Sequence, residues 1–165
     1  MKKILTFFLL SLLISCCDKY CCNNKVGVQP QLVDNDFLIF GHFYGECSGP
    51  QCVKIFKLTK DKLYEETNYP YSGIGSSKNY IFKELPNDKF NVAKDLMSYF
   101  PNQLRSVTEK QIGCPDCRDQ GGIYVELSEN GAVKTWEIDN DKDAVPDYLP
   151  VFVSKVHEKI GLILN

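Results

Sequence analysis

The sequence predicts an α+β domain, an antiparallel sheet with two helices packed on one face, and three observations carry that prediction. Short runs dense in Phe, Ile, Tyr and Val recur between turn residues, as strands do. Asn130-Gly131, the dipeptide favoured in two-residue hairpin turns, sits between two such runs. Two further stretches carry apolar residues at three- and four-residue spacing, the period of a helix with one buried face.

Residues 37–44 and 53–58 read as two strands joined through a turn that contains Gly45, Gly49 and Pro50. A second turn at 59–62 leads to a strand at 63–66, and residues 80–85 form another short strand. Between them, residues 68–79 string together Tyr69, Pro70, Tyr71, Gly73 and Gly75 as a loop. Asn87 or Asn91 caps a helix in which Val92, Leu96 and Phe100 share one stripe, and Pro101 ends it. Residues 102–113 read as irregular and polar.

Counting outward from Asn130-Gly131 pairs Leu127 with Lys134, Val125 with Trp136 and Ile123 with Ile138 on a mostly apolar face. The alternate pairs, Ser128 with Val133, Glu126 with Thr135 and Tyr124 with Glu137, make a face that can meet water. In the last helix Asp147 is the expected cap and Pro150 lies in the first turn. Leu149, Phe152, Val153, Val156 and Ile160 form its buried stripe. Lys155, Glu158 and Lys159 face outward, and Gly161 is the expected stop.

The beginning of the chain has a different character. Lys2 and Lys3 precede an apolar run from Ile4 to Ile14, which is the layout of a secretion signal. At about eleven residues the run is too short to span a bilayer, which takes about 20. It ends in Leu13-Ile14-Ser15-Cys16, which resembles the lipobox of bacterial lipoproteins. That resemblance implies cleavage before Cys16, acylation of its thiol, and attachment to a membrane through the lipid. It divides the chain into a signal peptide at 1–15, a flexible tether at 16–36 and a single α+β domain at 37–165. In such proteins an Asp directly after the acylated cysteine favours the inner membrane. Cys17 stands there instead, which implies the outer membrane of the cell envelope.

Loss of Lys2 and Lys3 with the signal lowers the basic side chains from 19 to 17 against 21 acidic ones, a formal charge of −4. A chain of that balance, without a basic cluster, has no affinity for nucleic acid. Apolar residues at 44% and charged residues at 24% are those of a globular chain.

Four cysteines lie in the domain, Cys47 and Cys52 as C-x4-C and Cys114 and Cys117 as C-x2-C. In an oxidising envelope they form disulfides, in any of three connectivities. The alternatives are four thiolates on a zinc ion, or a redox-active dithiol at Cys114-Pro115-Asp116-Cys117. In thioredoxin-like proteins that dithiol opens a helix, whereas here Gly121-Gly122 and a strand follow it. The tether cysteines Cys17, Cys21 and Cys22 make an odd number of thiols once Cys16 is acylated.

Asp139, Asp141 and Asp143 occupy the first, third and fifth positions of a calcium-loop pattern. The pattern stops at Ala144 and Pro150, where a Gly and a Glu belong, so the stretch reads as an acidic, solvated loop. His42 and His157 have no partner visible in the sequence, and no nucleophile or phosphate-loop signature is present. No cofactor is expected. Tyr69, Tyr71 and Tyr80 offer aromatic area with a hydroxyl, the make-up of a recognition surface.

The mature chain also resembles the small lipoproteins of Bacteroidota-type bacteria. The likeness rests on Gly41-His42-Phe43-Tyr44-Gly45-Glu46-Cys47, on Gly113-Cys114-Pro115-Asp116-Cys117 with Gly121-Gly122-Ile123-Tyr124, and on Trp136-Glu137-Ile138-Asp139. It implies no activity. The sequence therefore points to an anchored, non-enzymatic binding module for an envelope protein or glycan, with thiol–disulfide or metal chemistry as the alternative.

Overall fold

A computed structural model describes residues 31–68 and 80–165. Cys16, the tether cysteines Cys17, Cys21 and Cys22, and Tyr69 and Tyr71 lie outside the described residues.

Among the described residues, seven strands form one sheet in the order β4-β3-β2-β1-β6-β7-β5. Strands β1 (Phe37–Phe43), β2 (Val53–Leu58), β3 (Leu63–Glu66) and β4 (Phe82–Glu84) make an antiparallel meander. Strands β6 (Gly122–Glu129) and β7 (Ala132–Asp139) form the hairpin, and β6 lies antiparallel against β1 at the centre. Strand β5 (Gln111–Ile112) runs parallel to the end of β7. That makes the sheet mixed, where the sequence predicted an antiparallel one and an irregular stretch at 102–113. Two residues carry no periodicity, and their pairing with Glu137 and Ile138 is set by a distant strand.

The hairpin has the expected register, Leu127 with Lys134, Val125 with Trp136 and Ile123 with Ile138. Asn130 at φ 54° and Gly131 at φ 79° provide the left-handed pair that a type I′ turn needs. The Asn130 N–H donates to the Asp36 carboxylate at 2.9 Å. Leu32, 7% exposed, already packs in the core, so ordered contacts reach back before residue 37.

Helix α1 (Asn87–Ala93) and helix α2 (Pro150–Leu164) contribute to the same apolar cluster as alternate residues of the sheet. Leu38 and Phe40 of β1, Phe56 and Leu58 of β2, Val125 and Leu127 of β6, and Trp136 of β7 meet Leu96, Phe100, Phe152 and Val156. Phe100 packs edge-on to Phe152 at 5.3 Å between centroids and lies 6.2 Å from the Trp136 ring. Burying an aromatic side chain of this size stabilises the fold by about 2–3 kcal/mol.

The helix ends differ from expectation. The cap of α1 is Pro86, with no side-chain capping hydrogen bond, and the Asn91 side-chain oxygen accepts from Lys94 at 3.0 Å instead. After Ala93 the chain tightens into a 3-10 turn at Leu96–Tyr99. Leu149, not Asp147, precedes α2, and Pro150 fills its first position, where the missing N–H costs nothing. Lys159 is 8% exposed rather than outward-facing, because its ammonium reaches Asp95 at 2.7 Å while its stem lies along the core. Gly161 does not stop the helix, which runs on to Leu164. No helix among the described residues is long and apolar enough to cross a membrane.

A Cβ added at Gly161 would meet nothing within 4 Å. Replacing this exposed glycine in the last turn of α2, Gly161→Ala, is expected to stabilise the protein by up to about 1 kcal/mol, measured by urea unfolding. A loss of stability would show that the last turn of α2 is not helical in solution.

Candidate functional site

The three stretches Gly41 to Cys47, Gly113 to Cys117 and Gly121 to Tyr124 come together at one end of the sheet. Cys47 bonds to Cys52, and Cys114 bonds to Cys117, so each disulfide closes a short local loop. This settles the connectivity that spacing left open, and sulfurs in that state offer no thiolate to a metal. Cys52 is buried, whereas Cys114 and Cys117 are exposed and border a hollow of about 360 Å³ with Arg118 and Asn140. No helix follows Cys117; the chain turns through Gly121 into β6.

Two carboxylates lock these loops. Asp116, between the paired cysteines, accepts the Gly45 N–H at 2.7 Å on one oxygen and the Gly121 N–H at 2.9 Å on the other. The contact needs a glycine, because a Cβ on Gly45 would lie 2.0 Å from the Asp116 oxygen. Asp139 accepts the Cys114 N–H at 2.9 Å, the Gln120 side-chain amide at 3.0 Å and the Asp141 N–H at 2.8 Å. Burial alone would raise its pKa. The donors from Asp141, Gln120 and Cys114 outweigh burial and hold it below the usual carboxylate range. Asp141 accepts the Asp143 N–H at 3.0 Å. The acidic stretch thus spends carboxylate oxygens on backbone amides. Among the described residues no group of three or more His, Cys, Asp or Glu is placed to hold a metal ion.

Sequence reading missed a pair formed by His42 on β1 and His157 on α2, whose rings stack with centroids 6.3 Å apart. The His42 ring nitrogen Nε2 lies 3.0 Å from the Gln51 carbonyl, and that of His157 lies 2.8 Å from the Asn140 side-chain oxygen. Burial lowers both pKa values, with the nearby Lys54 adding to the effect at His42 and His42 itself adding at His157. No local pattern links two residues so far apart in the chain.

A second surface lies on the other side of the sheet. Tyr124, expected to meet water, is 1% exposed there and packs with Ile39, Val53 and Ile55, with Phe43, Tyr80 and Phe82 at the margin. Gly41 pairs with both Ile55 and Tyr124, and its missing Cβ lets β2 approach. The Tyr124 hydroxyl donates to Glu126 at 2.8 Å. Burial first, then hydrogen bonding with Tyr80 and Glu126, raises its pKa far above that of an ordinary phenol. Tyr80 precedes β4 rather than lying in it. Glu66 fixes its approach by accepting the N–H groups of Asn68 at 2.9 Å and Ile81 at 3.0 Å. Tyr80, Tyr124, Glu126, Val133 and Thr135 line an open groove of about 720 Å³ that continues past the β7 edge to Val107, Thr108 and Lys110.

Two outcomes follow for the disulfide-closed end. With both histidine pKa values lower in the folded than in the unfolded state, the unfolded chain binds more protons below about pH 6.5. The histidines' contribution is therefore complete above that pH and is lost as pH falls, and His157→Gln should flatten this part of a urea-midpoint profile. Asp116→Ala, which strands two amides, is expected to cost about 1–3 kcal/mol in the same assay. No protein-family model and no curated protein matches the chain, so the two surfaces stand on their own chemistry.

Proposed function

We propose that the protein is a lipid-anchored lipoprotein of the cell envelope, attached through Cys16, whose folded body is a non-enzymatic binding module. Its partner is an envelope protein or a glycan. The observation that carries the binding reading is the groove on the sheet face, where tyrosine, threonine and carboxylate groups surround an exposed valine, Val133, at 55% exposure. Amphipathic aromatic rings beside a few polar groups are what recognition surfaces are made of. The locked loops at the other end suit a scaffold role, because they hold the start of β6 and the end of β7 in place.

A second reading is favoured by one observation. The Cys114–Cys117 bridge is exposed at a hollow while Cys52 is buried, so thiol–disulfide exchange would act there. Alkylation and intact mass across a graded reductant series separates the two. A pair that stays closed until the fold is lost removes the exchange reading.

The binding reading is tested in the native host. Cys16→Ser should shift the protein out of the membrane fraction, and Thr135→Arg, which fills the groove, should reduce recovery of co-purified partner or glycan at least about tenfold. Lys155→Ala, on α2, serves as the control. Unchanged recovery with Thr135→Arg would remove the groove from the account.

A further inference from the structure

The groove has a component that side chains do not supply. In a two-residue hairpin the pair flanking the turn, here Glu129 and Ala132, exchanges hydrogen bonds, and the direction alternates from there. Ala132, Lys134 and Trp136 therefore aim their main-chain groups at β6, and Val133, Thr135 and Glu137 aim theirs outward. Glu137 fits the pattern, since its N–H donates to the Lys110 carbonyl at 2.7 Å where β5 begins to cover the edge.

That cover is short. Strand β5 pairs only with Glu137 and Ile138. Upstream, the chain swings toward the helix side, where the Trp136 indole donates to the Val107 carbonyl at 3.3 Å and the Lys134 ammonium reaches the Arg105 carbonyl. The departure opens the part of the groove lined by Val107, Thr108 and Lys110. Among the described residues, no main-chain group pairs with the outward N–H and C=O of Val133 and Thr135.

Building on the binding reading, we propose that an extended segment of a partner protein adds to this edge as a further strand beside Ala132 to Trp136. Main-chain pairing with Val133 and Thr135 supplies the attraction, the mode in which exposed sheet edges take up peptides. Side chains then set the preference. A residue opposite Lys134 shares its face, and Lys110 lies beside the same groove, so an acidic residue fits there. Residues opposite Val133 and Thr135 face Tyr124 and Tyr80, so β-branched or apolar side chains fit those positions. A second copy of the chain fits less well. The two-fold register that pairs Val133 with Thr135 would set Lys134 against Lys134 of the other copy, which is repulsive.

The test uses the full chain in detergent micelles and a synthetic pentapeptide, Thr-Val-Asp-Val-Thr, with hydrogen exchange read at residues 132–136. The peptide is expected to slow exchange there, and its Lys-for-Asp counterpart to bind about fivefold more weakly. Thr135→Pro removes an outward N–H without touching the β6 ladder and should abolish the protection. Lys134→Glu, which keeps the edge N–H and C=O groups of β7 while giving up the Arg105 contact that the Trp136 indole backs up at Val107, should reverse the preference between the two peptides. No protection with either peptide, equal binding to Thr135→Pro, or an unreversed preference in Lys134→Glu would overturn the proposal. So would protection that rises with chain concentration alone, which would make a second copy the occupant. A native partner that is lost on Thr135→Arg but retained on Thr135→Pro would leave the groove standing and remove the added strand.

Discussion

The structure depends on the pairing of β1 with β6. Without it the chain falls into two local pieces, the meander β1 to β4 and the hairpin of β6 and β7, and a lone two-stranded hairpin is at best marginally stable in water. With it, Phe40 stands beside Val125 and Phe56, and the helices have a continuous surface to cover. The pairing joins residues as far apart as Phe37 and Ser128, so its loop-closure cost is met only once both faces of β1 are buried. Gly41 sits at the middle of that strand, where a Cβ would lie 2.2 Å from the Lys54 carbonyl.

Each candidate surface is a consequence of that centre. At one end, β1 and β6 bring their flanking loops side by side, which is why Asp116 can hold Gly45 across 71 residues of sequence. Opposite the main apolar cluster, the same pairing sets Gly41 against Tyr124 and seals a small second cluster around Ile39 and Ile55. Order at the sheet's centre contrasts with its β7 edge. The strand added by residues 111–112 is too short to complete it, and the chain before it is drawn off by the Trp136 indole and Lys134.

Much of the architecture is legible in the sequence because its signals are local. The ranges of β2 and β3 follow from short β-branched and aromatic runs between turn residues, and the hairpin register follows from Asn130-Gly131 alone. The misses share a cause. Strand β5, the burial of Tyr124, the ion pair of Lys159 with Asp95, and the His42–His157 stack are all decided by residues distant in the chain. Helix ends failed for another reason: Asn87 and Asp147 are good caps by type, yet Pro86 and Pro150 fix the backbone at the entry to each helix. The candidate cysteines were legible as residues but not as pairs, and the carboxylates that position them, Asp116 and Asp139, have no signature of their own.

Native-state hydrogen exchange on the isolated chain tests the account most directly, because it reads the centre and the edge in one experiment. The outward amides of Val133 and Thr135 should exchange nearly as fast as free peptide, while amides of β1 and β6 open only with global unfolding. Protection of Val133 and Thr135 in the absence of any partner, or a β1 strand that opens independently of β6, would contradict it.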